Sequence, residues 1–179
     1  MGKFGDKSIA FLTSQMDRLG IPQDQRESFI NNMYDFSRQV RNIESDNDPM
    51  RVPGIEGNTA KGVYQFTDDS VVTGKNRMET LGYAERPGWN PYTDEYISSI
   101  SDNPQEWTDE HADDMFLANI FAQTGSDRYI TDIGRGNIDA RKDAYYQFHH
   151  TRPDDATIRR VDKEMLVDNI LTEQGADAF

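Results

Sequence analysis

The stretch that decides the fold is DQRESFINNMYDFSRQVRNIES, residues 24–45. Five apolar residues recur along it at spacings of four and three: Phe29, Met33, Phe36, Val40 and Ile43. This period is typical of a helix that buries one face. Asp24 and Glu27 stand three residues apart, which is the pattern of a capping box at a helix start. The stretch therefore predicts a long amphipathic helix from about residue 25 to residue 43 or 44.

Helices are also predicted on both sides of this one. Upstream, apolar residues at helical spacing from Ile9 to Leu19 predict a short helix that stops at Gly20. Downstream, Thr67, Thr93 and Thr108 each stand where a helix should start. We expect these helices to reach Gly82, Ile100 and Gln123. Two more are expected, at 138–150 and, after Pro153, at 158–166.

The segment ADDMFLANIFAQ, residues 112–123, is apolar on several sides. A helix of this kind is buried in the centre of a domain. By contrast, residues 45–61 carry two Pro, two Gly and several Asx residues, which favour a polar loop with at most one small hairpin. The expected fold is one mainly helical domain over residues 1–179, with six to eight helices and this loop or hairpin after the second long helix.

Composition excludes several classes of protein. The chain has 32 acidic and 19 basic residues, a net charge of −13, so we expect no nucleic-acid partner, because such partners are bound mainly through Lys and Arg. No apolar run approaches the length of a membrane span. The longest apolar run near the N-terminus, Ile9 to Leu12, is too short for a secretory signal, so none is expected. With no cysteine, thiolate chemistry is excluded.

Glu44 is the first candidate for chemistry, because it stands beside the apolar stripe where the long helix ends. Partial burial there would disfavour the charged carboxylate and raise its pKa, which suits a general acid near neutral pH. The alternative is a solvated residue at a frayed helix end.

Two segments resemble a known family. IESDND at residues 43–48 and AKGVYQF at residues 60–66 look like the first two motifs of the lytic transglycosylases, which have a lysozyme-like fold. In that family a Glu-Ser pair ends a helix, and a Gly-x-x-Gln sequence follows a polar loop. The matching residues are Glu44 with Ser45, and Gly62 with Gln65.

A third motif of this family places a tyrosine from a late helix against the catalytic Glu. DAYYQFHHT at residues 143–151 resembles the Tyr-x-x-His form of phage-encoded members. Tyr146 with His149 fits this form better than Tyr145 does, since three residues then separate Tyr from His. On an α-helix those two side chains would share a face. The resemblance covers roughly Arg26 to Arg160.

The resemblance implies that Glu44 protonates the glycosidic oxygen of peptidoglycan and then takes a proton from the muramic acid 6-hydroxyl, which closes a 1,6-anhydro ring. Ser45, Gly62, Gln65, Tyr146 and His149 would bind substrate or support Glu44. A second carboxylate would instead give hydrolysis. The candidates for it are Asp46, Asp48, Glu56, Asp68 and Asp69. No cofactor is expected. No metal is expected either, because the adjacent His149 and His150 point about 100° apart on an α-helix and cannot both face one metal.

The expected function is therefore that of a peptidoglycan lytic transglycosylase cleaving the MurNAc-β-1,4-GlcNAc bond, with glycan strands as substrate and no cofactor. The resemblance to phage members and the lack of an export signal favour a virion protein that acts in the host periplasm or cell wall, in contact with other virion proteins. The alternatives are a muramidase-type endolysin, a non-catalytic virion module of lysozyme-like fold, and an acidic decoy that mimics nucleic acid.

Overall fold

The computed structural model describes residues 3–52, 57–85, 91–121, 125–150 and 153–176, without the side chains of residues 81–85 and 166–176. Within these ranges the chain forms eight α-helices. They are α1 (Asp6–Arg18), α2 (Arg26–Ser45), α3 (Asp68–Glu85), α4 (Asp94–Ser99), α5 (Asp109–Phe121), α6 (Ser126–Gly134), α7 (Ile138–Ala144) and α8 (Asp155–Ala176). The mainly α fold with six to eight helices is confirmed.

Helix α5 lies at the centre, as its all-round apolar sequence predicts. Met115, Phe116, Leu117 and Ala118 are all fully buried, which means that four consecutive faces of the helix are covered. Residues 122–124 lie outside the described residues, so the predicted end at Gln123 does too. The surrounding helices therefore use α5 as their common core.

Helix α2 buries the predicted stripe, and each of its five members is at most 3% exposed. The predicted capping box is wrong, however. Asp24 lies in a 3-10 turn, Gln23–Gln25, and Gln25 is the N-cap without a side-chain hydrogen bond. The extra turn moves Asp24 out of the position from which it could reach the helix's free N–H groups. At the other end, Asp46 ends the helix in the left-handed conformation.

The polar region after α2 forms a tight loop. The described part of residues 46–67 contains one isolated antiparallel β-bridge, between Lys61 and Phe66, in which each backbone N–H donates to the other residue's carbonyl at 3.0 Å. This single bridge stands where the sequence predicts a loop or small hairpin. Residues 53–56 lie outside the described residues.

The three predicted threonine starts are confirmed by hydrogen bonds. The side chains of Thr67, Thr93 and Thr108 accept from the backbone N–H groups three residues later. Helix α3 runs to Glu85, past the predicted end at Gly82. Gly74 lets α3 approach α5, because an added Cβ would stand 2.5 Å from the Met115 Cε.

The C-terminal half holds one helix that the sequence reading missed and one helix of unexpected form. Helix α6 buries Ile130 and Ile133 against the core. The predicted helix at residues 138–150 is α-helical only to Ala144, and then continues as a π-helical turn, Tyr145–His149. This turn adds a residue to the helical repeat, so it redirects every side chain after Ala144.

Within the described ranges, the helices lack the combination of length and apolar character that crossing a membrane requires.

Candidate active site

Glu44 lies at the last turn of α2 with its side chain only 10% exposed. The phenolic hydroxyl of Tyr145 donates a hydrogen bond of 2.6 Å to its Oε1. Tyr145 itself is fully buried, so it has little freedom to leave this position. The alternative of a solvated Glu44 at a frayed helix end is therefore wrong, because the carboxyl is mostly buried and accepts a hydrogen bond from a buried hydroxyl.

The π-helical turn decides which side chains reach Glu44. It directs Tyr145 at the carboxyl, whereas Tyr146 lies outside the cleft and packs edge-on against the Tyr145 ring at 5.4 Å. The prediction that Tyr146 contacts Glu44 is thus wrong. That prediction assumes α-helical spacing, whereas in a π-helical turn the residue that faces Glu44 shifts by one position along the sequence.

Both histidines also face Glu44. The His150 Nδ1 is 3.3 Å and the His149 Nε2 is 3.6 Å from the same carboxyl oxygen, Oε1. Adjacent residues of an α-helix would point about 100° apart, but this segment does not have α-helical geometry. His149 ends the π-turn, and His150 leaves the helix with φ −128° and ψ 84°, which bends its side chain back toward the cleft.

The pKa of Glu44 is lowered, which corrects the expectation of a raised value. Burial alone would raise the pKa of Glu44, but the hydrogen bond from His150, the nearby His149 and the hydrogen bond from Tyr145 together outweigh it. A hydrogen bond donated to a carboxylate favours the charged form. At neutral pH and without a ligand, Glu44 is therefore ionised.

His149 is held rigidly beside Glu44. Its ring meets Phe66 and Phe116 edge-on, with centroids 6.1 and 5.9 Å away. Burial lowers the pKa of His149, and the negative charge of Glu44 opposes this effect. The predicted position of His149 in the site agrees with this geometry, and Phe66 and Phe116 supply its apolar wall.

Ser45 connects α2 to the turn that follows. It is 1% exposed, and its hydroxyl lies 3.1 Å from the Arg41 carbonyl and 2.9 Å from the Val63 carbonyl. It faces away from the cleft. Ser45 therefore supports the site by fixing residues 61–66 against the end of α2, and a sugar could not reach it.

Gly62 and Gln65 shape that same turn. Gly62 has φ +76°, and a Cβ there would stand 2.9 Å from the Pro104 carbonyl oxygen, so both steric reasons for glycine apply. Gln65 also has positive φ, 50°, and its amide nitrogen donates to the carbonyls of Arg51 and Gly62. Gln65 lines the cleft, where its amide oxygen is an acceptor.

These residues enclose a cleft of about 460 Å³. Its described lining is Glu44, Asn58, Ala60, Gln65, Phe66, Thr67, Ser70, Asn119, Phe148, His149 and His150. The sequence analysis preferred Tyr146 to Tyr145, and it did not predict His150 or most of the lining residues. Asn119 has no motif around it. Its position on the central helix could be found only from the packing of α3 on α5.

Glu44 is the one acidic side chain among the described residues that line this cleft. Of the candidates for a second carboxylate, Asp46 is paired with Arg160 at 2.7 Å, and Asp48 accepts from the Met50 N–H. Asp68 and Asp69 lie exposed in the first turn of α3. Glu56 lies outside the described residues.

Beneath the cleft lies a buried ionic network that the sequence reading also missed. Asp113 of α5 is paired with Arg38 and accepts a hydrogen bond of 2.6 Å from the Tyr64 hydroxyl. The Tyr64 ring stacks on Phe116 with centroids 4.4 Å apart. The network fastens the turn at residues 61–66 to the central helix. Among the described side chains, no group of three His, Asp or Glu could hold a metal ion.

Comparisons of the chain with protein-family models, curated proteins and solved structures found no match. The class that the fold and site define is thus a helical domain with one buried carboxyl in a polar cleft.

Proposed function

We propose that this protein is a peptidoglycan lytic transglycosylase in which Glu44 is the catalytic residue. The observation that carries the proposal is the pairing of one buried glutamate with a buried tyrosine donor, 2.6 Å away, at the wall of a cleft. Glu44 belongs to the segment that resembles the family's first motif, and Tyr145 lies in the segment that resembles the third, one residue before the tyrosine that the motif spacing favours.

One carboxyl is enough for this reaction. Glu44 gives its proton to the glycosidic oxygen as the bond to the muramic acid C1 breaks. The same carboxylate then takes the proton of the 6-hydroxyl as that oxygen bonds to C1, so no water is consumed. An inverting or retaining hydrolase would need a second carboxylate about 5 to 9.5 Å away, and no other described lining residue supplies one.

Without a ligand, Glu44 is ionised, which is the form that accepts the proton in the second step. The first step needs the protonated form, and ligand binding favours it. A ligand that displaces water from the cleft increases the burial of the carboxyl, and burial raises the pKa of a carboxyl. Tyr145 keeps the same oxygen in place in both states. We expect it to act as a positioning residue, since its hydroxyl contacts the Glu44 carboxyl while Tyr145 does not itself line the cleft.

The cleft wall matches a neutral, hydroxyl-rich glycan. Asn58, Gln65, Thr67, Ser70 and Asn119 offer amide and hydroxyl groups, which both donate and accept hydrogen bonds. Phe66 and Phe148 add apolar surface. A sugar ring presents the same mixture of hydroxyl edges and C–H faces.

The test is digestion of purified peptidoglycan by the wild type, Glu44→Gln and the matched control Glu27→Gln, which changes an exposed glutamate at the opposite end of α2. We expect Glu44→Gln to lose at least about a hundredfold in rate, the usual contribution of a general acid–base residue. Glu27→Gln should keep wild-type activity. Equal activity of all three would refute the role of Glu44.

A second candidate is a module that grips glycan without cutting it, and the lowered pKa of Glu44 favours it. A carboxylate that stays ionised in the complex can accept hydrogen bonds but cannot protonate the leaving oxygen. In that case the wild type and Glu44→Gln would both bind glycan strands, and neither would release soluble products.

We also propose delivery by a virion. Peptidoglycan is anionic, and a chain with net charge −13 gains no long-range attraction to it. A carrier particle that brings the domain to the wall would remove the need for such attraction. The test is to look for this chain in purified virions and to assay those virions for clearing of a peptidoglycan layer. Virions that contain the chain and clear the layer would support delivery by a virion, and virions that lack the chain would count against it.

A further inference from the structure

A side groove joins the main cleft along α3. We define it by Asp69, Ser70, Thr73, Arg77, Asn119 and Phe148, which enclose about 230 Å³. Ser70, Asn119 and Phe148 line both the side groove and the main cleft. A substituent on a glycan that occupies the main cleft could therefore extend into the side groove without crossing a barrier.

The side groove carries opposite charges at its two ends. Asp69, Thr73 and Arg77 recur every four residues, which places them on one face of α3. The outer two are about 12 Å apart along the axis at 1.5 Å per residue. An extended peptide covers this distance with three to four residues at about 3.3 Å each.

Arg77 is set firmly at its end of the groove. Its Nη1 donates to the Asn119 side-chain oxygen at 2.7 Å, and the Asn119 amide nitrogen donates to the Met115 carbonyl of the central helix at 2.9 Å. Burial lowers the pKa of Arg77, so part of its hydration is already lost. A guanidinium fixed in this way is preorganised for a carboxylate.

We infer that the side groove binds the stem peptide of peptidoglycan, with Arg77 holding a peptide carboxylate and Asp69 holding a free amine. This inference rests on the proposed function, since it takes the main cleft as the glycan site. The peptide hangs from the muramic acid next to the cleaved bond, so a groove beside Glu44 is within its reach. Stem peptides with a diamino acid carry both charges.

Binding is best measured with the inactive Glu44→Gln protein, so that cleavage does not interfere. Two ligands are titrated and followed by NMR: a disaccharide that carries a tripeptide stem with a diamino acid, and the same disaccharide without peptide. We expect the peptide to improve the dissociation constant about tenfold, which corresponds to 1.4 kcal/mol, close to the lower end of what one hydrogen bond to a charged group contributes. Equal affinity for both ligands would overturn the inference.

Substitutions locate the effect. Adding Arg77→Gln should remove the preference for the peptide, whereas the control Arg128→Gln, at an arginine 89% exposed on α6, should keep it.

Asp69→Asn tests the other end of the side groove without disturbing the contact between Arg77 and Asn119. It should weaken binding of the free amine and leave binding of an N-acetylated stem unchanged. A preference that survives both Arg77→Gln and Asp69→Asn would place the peptide elsewhere.

Failure of this inference differs from failure of the proposed function. If the wild type cleaves peptidoglycan but shows no peptide preference, the side groove is not the peptide site. If the peptide preference depends on Arg77 but the wild type cleaves nothing, the groove is a peptide site in a binding module.

Discussion

At the scale of single residues, the site balances two opposing effects on one carboxyl. Burial disfavours the Glu44 carboxylate, while Tyr145, His149 and His150 favour it. The three partners come from one short segment and the carboxyl from a distant helix. A change at any partner should therefore alter the protonation of Glu44 without removing the carboxyl.

Replacing Tyr145 with Phe removes the hydroxyl that holds Glu44. We expect Tyr145→Phe to lower the cleavage rate about tenfold and to reduce the free energy of unfolding by about 1 to 3 kcal/mol, the cost of losing a hydrogen bond to a charged group. Tyr146→Phe is the matched control, since Tyr146 lies outside the cleft. A larger loss in Tyr146→Phe would mean that the α-helical reading of this segment was correct after all.

Replacing His150 with Gln should change the pH dependence of cleavage. His150 lowers the pKa of Glu44, so its loss raises that pKa. The acid form of Glu44 disappears as the pH rises through its pKa, and the alkaline fall of the rate should move to higher pH in His150→Gln. The measurement is a pH–rate profile, with His111→Gln on α5 as control. An unmoved profile would show that His150 does not act on Glu44.

Sequence reasoning found Glu44, Gln65 and His149 in the cleft because their motif spacing fixes them near a helix end and a turn. It failed at Tyr145 and His150, since the π-turn that orients them has no sequence pattern that distinguishes it from an α-helix. The direction of the Glu44 pKa shift also could not be predicted. It depends on donors that lie about a hundred residues away along the chain.

At the scale of elements, the site depends on how α2, α5 and the π-turn meet. Apolar periodicity predicted α2, whereas apolar residues on several sides predicted α5 as a buried central helix. Helix α6 was missed because its nine residues offer few apolar positions to count. The first turn of α2 was mispredicted because a 3-10 turn takes the place of the expected cap.

The contact of α6 with α2 gives a test at this scale. Gly134 ends α6, and a Cβ there would stand 2.0 Å from a ring carbon of Phe29, which is 1% exposed on α2. A buried ring cannot yield as a flexible chain end could. We expect Gly134→Ala to lower the free energy of unfolding by about 2 to 3 kcal/mol in urea titrations.

The control for this substitution is Arg128→Ala on the same helix. Arg128 is 89% exposed and its ion pair with Asp132 is 3.9 Å long, so the change should stay within about 0.5 kcal/mol. A Gly134→Ala protein as stable as the control would show that α6 does not pack this closely on α2.

At the scale of the whole molecule, one of the many acidic residues, Asp114, lies inside the core. This carboxyl is 1% exposed, and its two oxygens accept hydrogen bonds from Ser8, Tyr92 and Tyr96. It thereby ties α1 and the start of α4 to the central helix. Burial raises the pKa of Asp114 to about 6.

This burial predicts a pH-dependent stability. Because the pKa of Asp114 is raised from 3.8 to about 6 in the folded protein, its contribution is greatest below the unfolded value and is lost as the pH rises through about 6. The full difference is about 3 kcal/mol. In urea unfolding, the free energy of unfolding of the wild type relative to Asp114→Asn should therefore increase as the pH falls from about 7.5 to about 5. A difference that is constant with pH would contradict the burial of a titrating carboxyl.

The central claim is that Glu44 breaks the glycosidic bond without using water. Its most direct test is the mass of the muropeptides released from peptidoglycan in water enriched in heavy oxygen. The proposed reaction predicts products lighter than the hydrolytic ones by one water, with no heavy oxygen, and none of these products from Glu44→Gln. Products with a reducing end that carry heavy oxygen would show hydrolysis and contradict the claim.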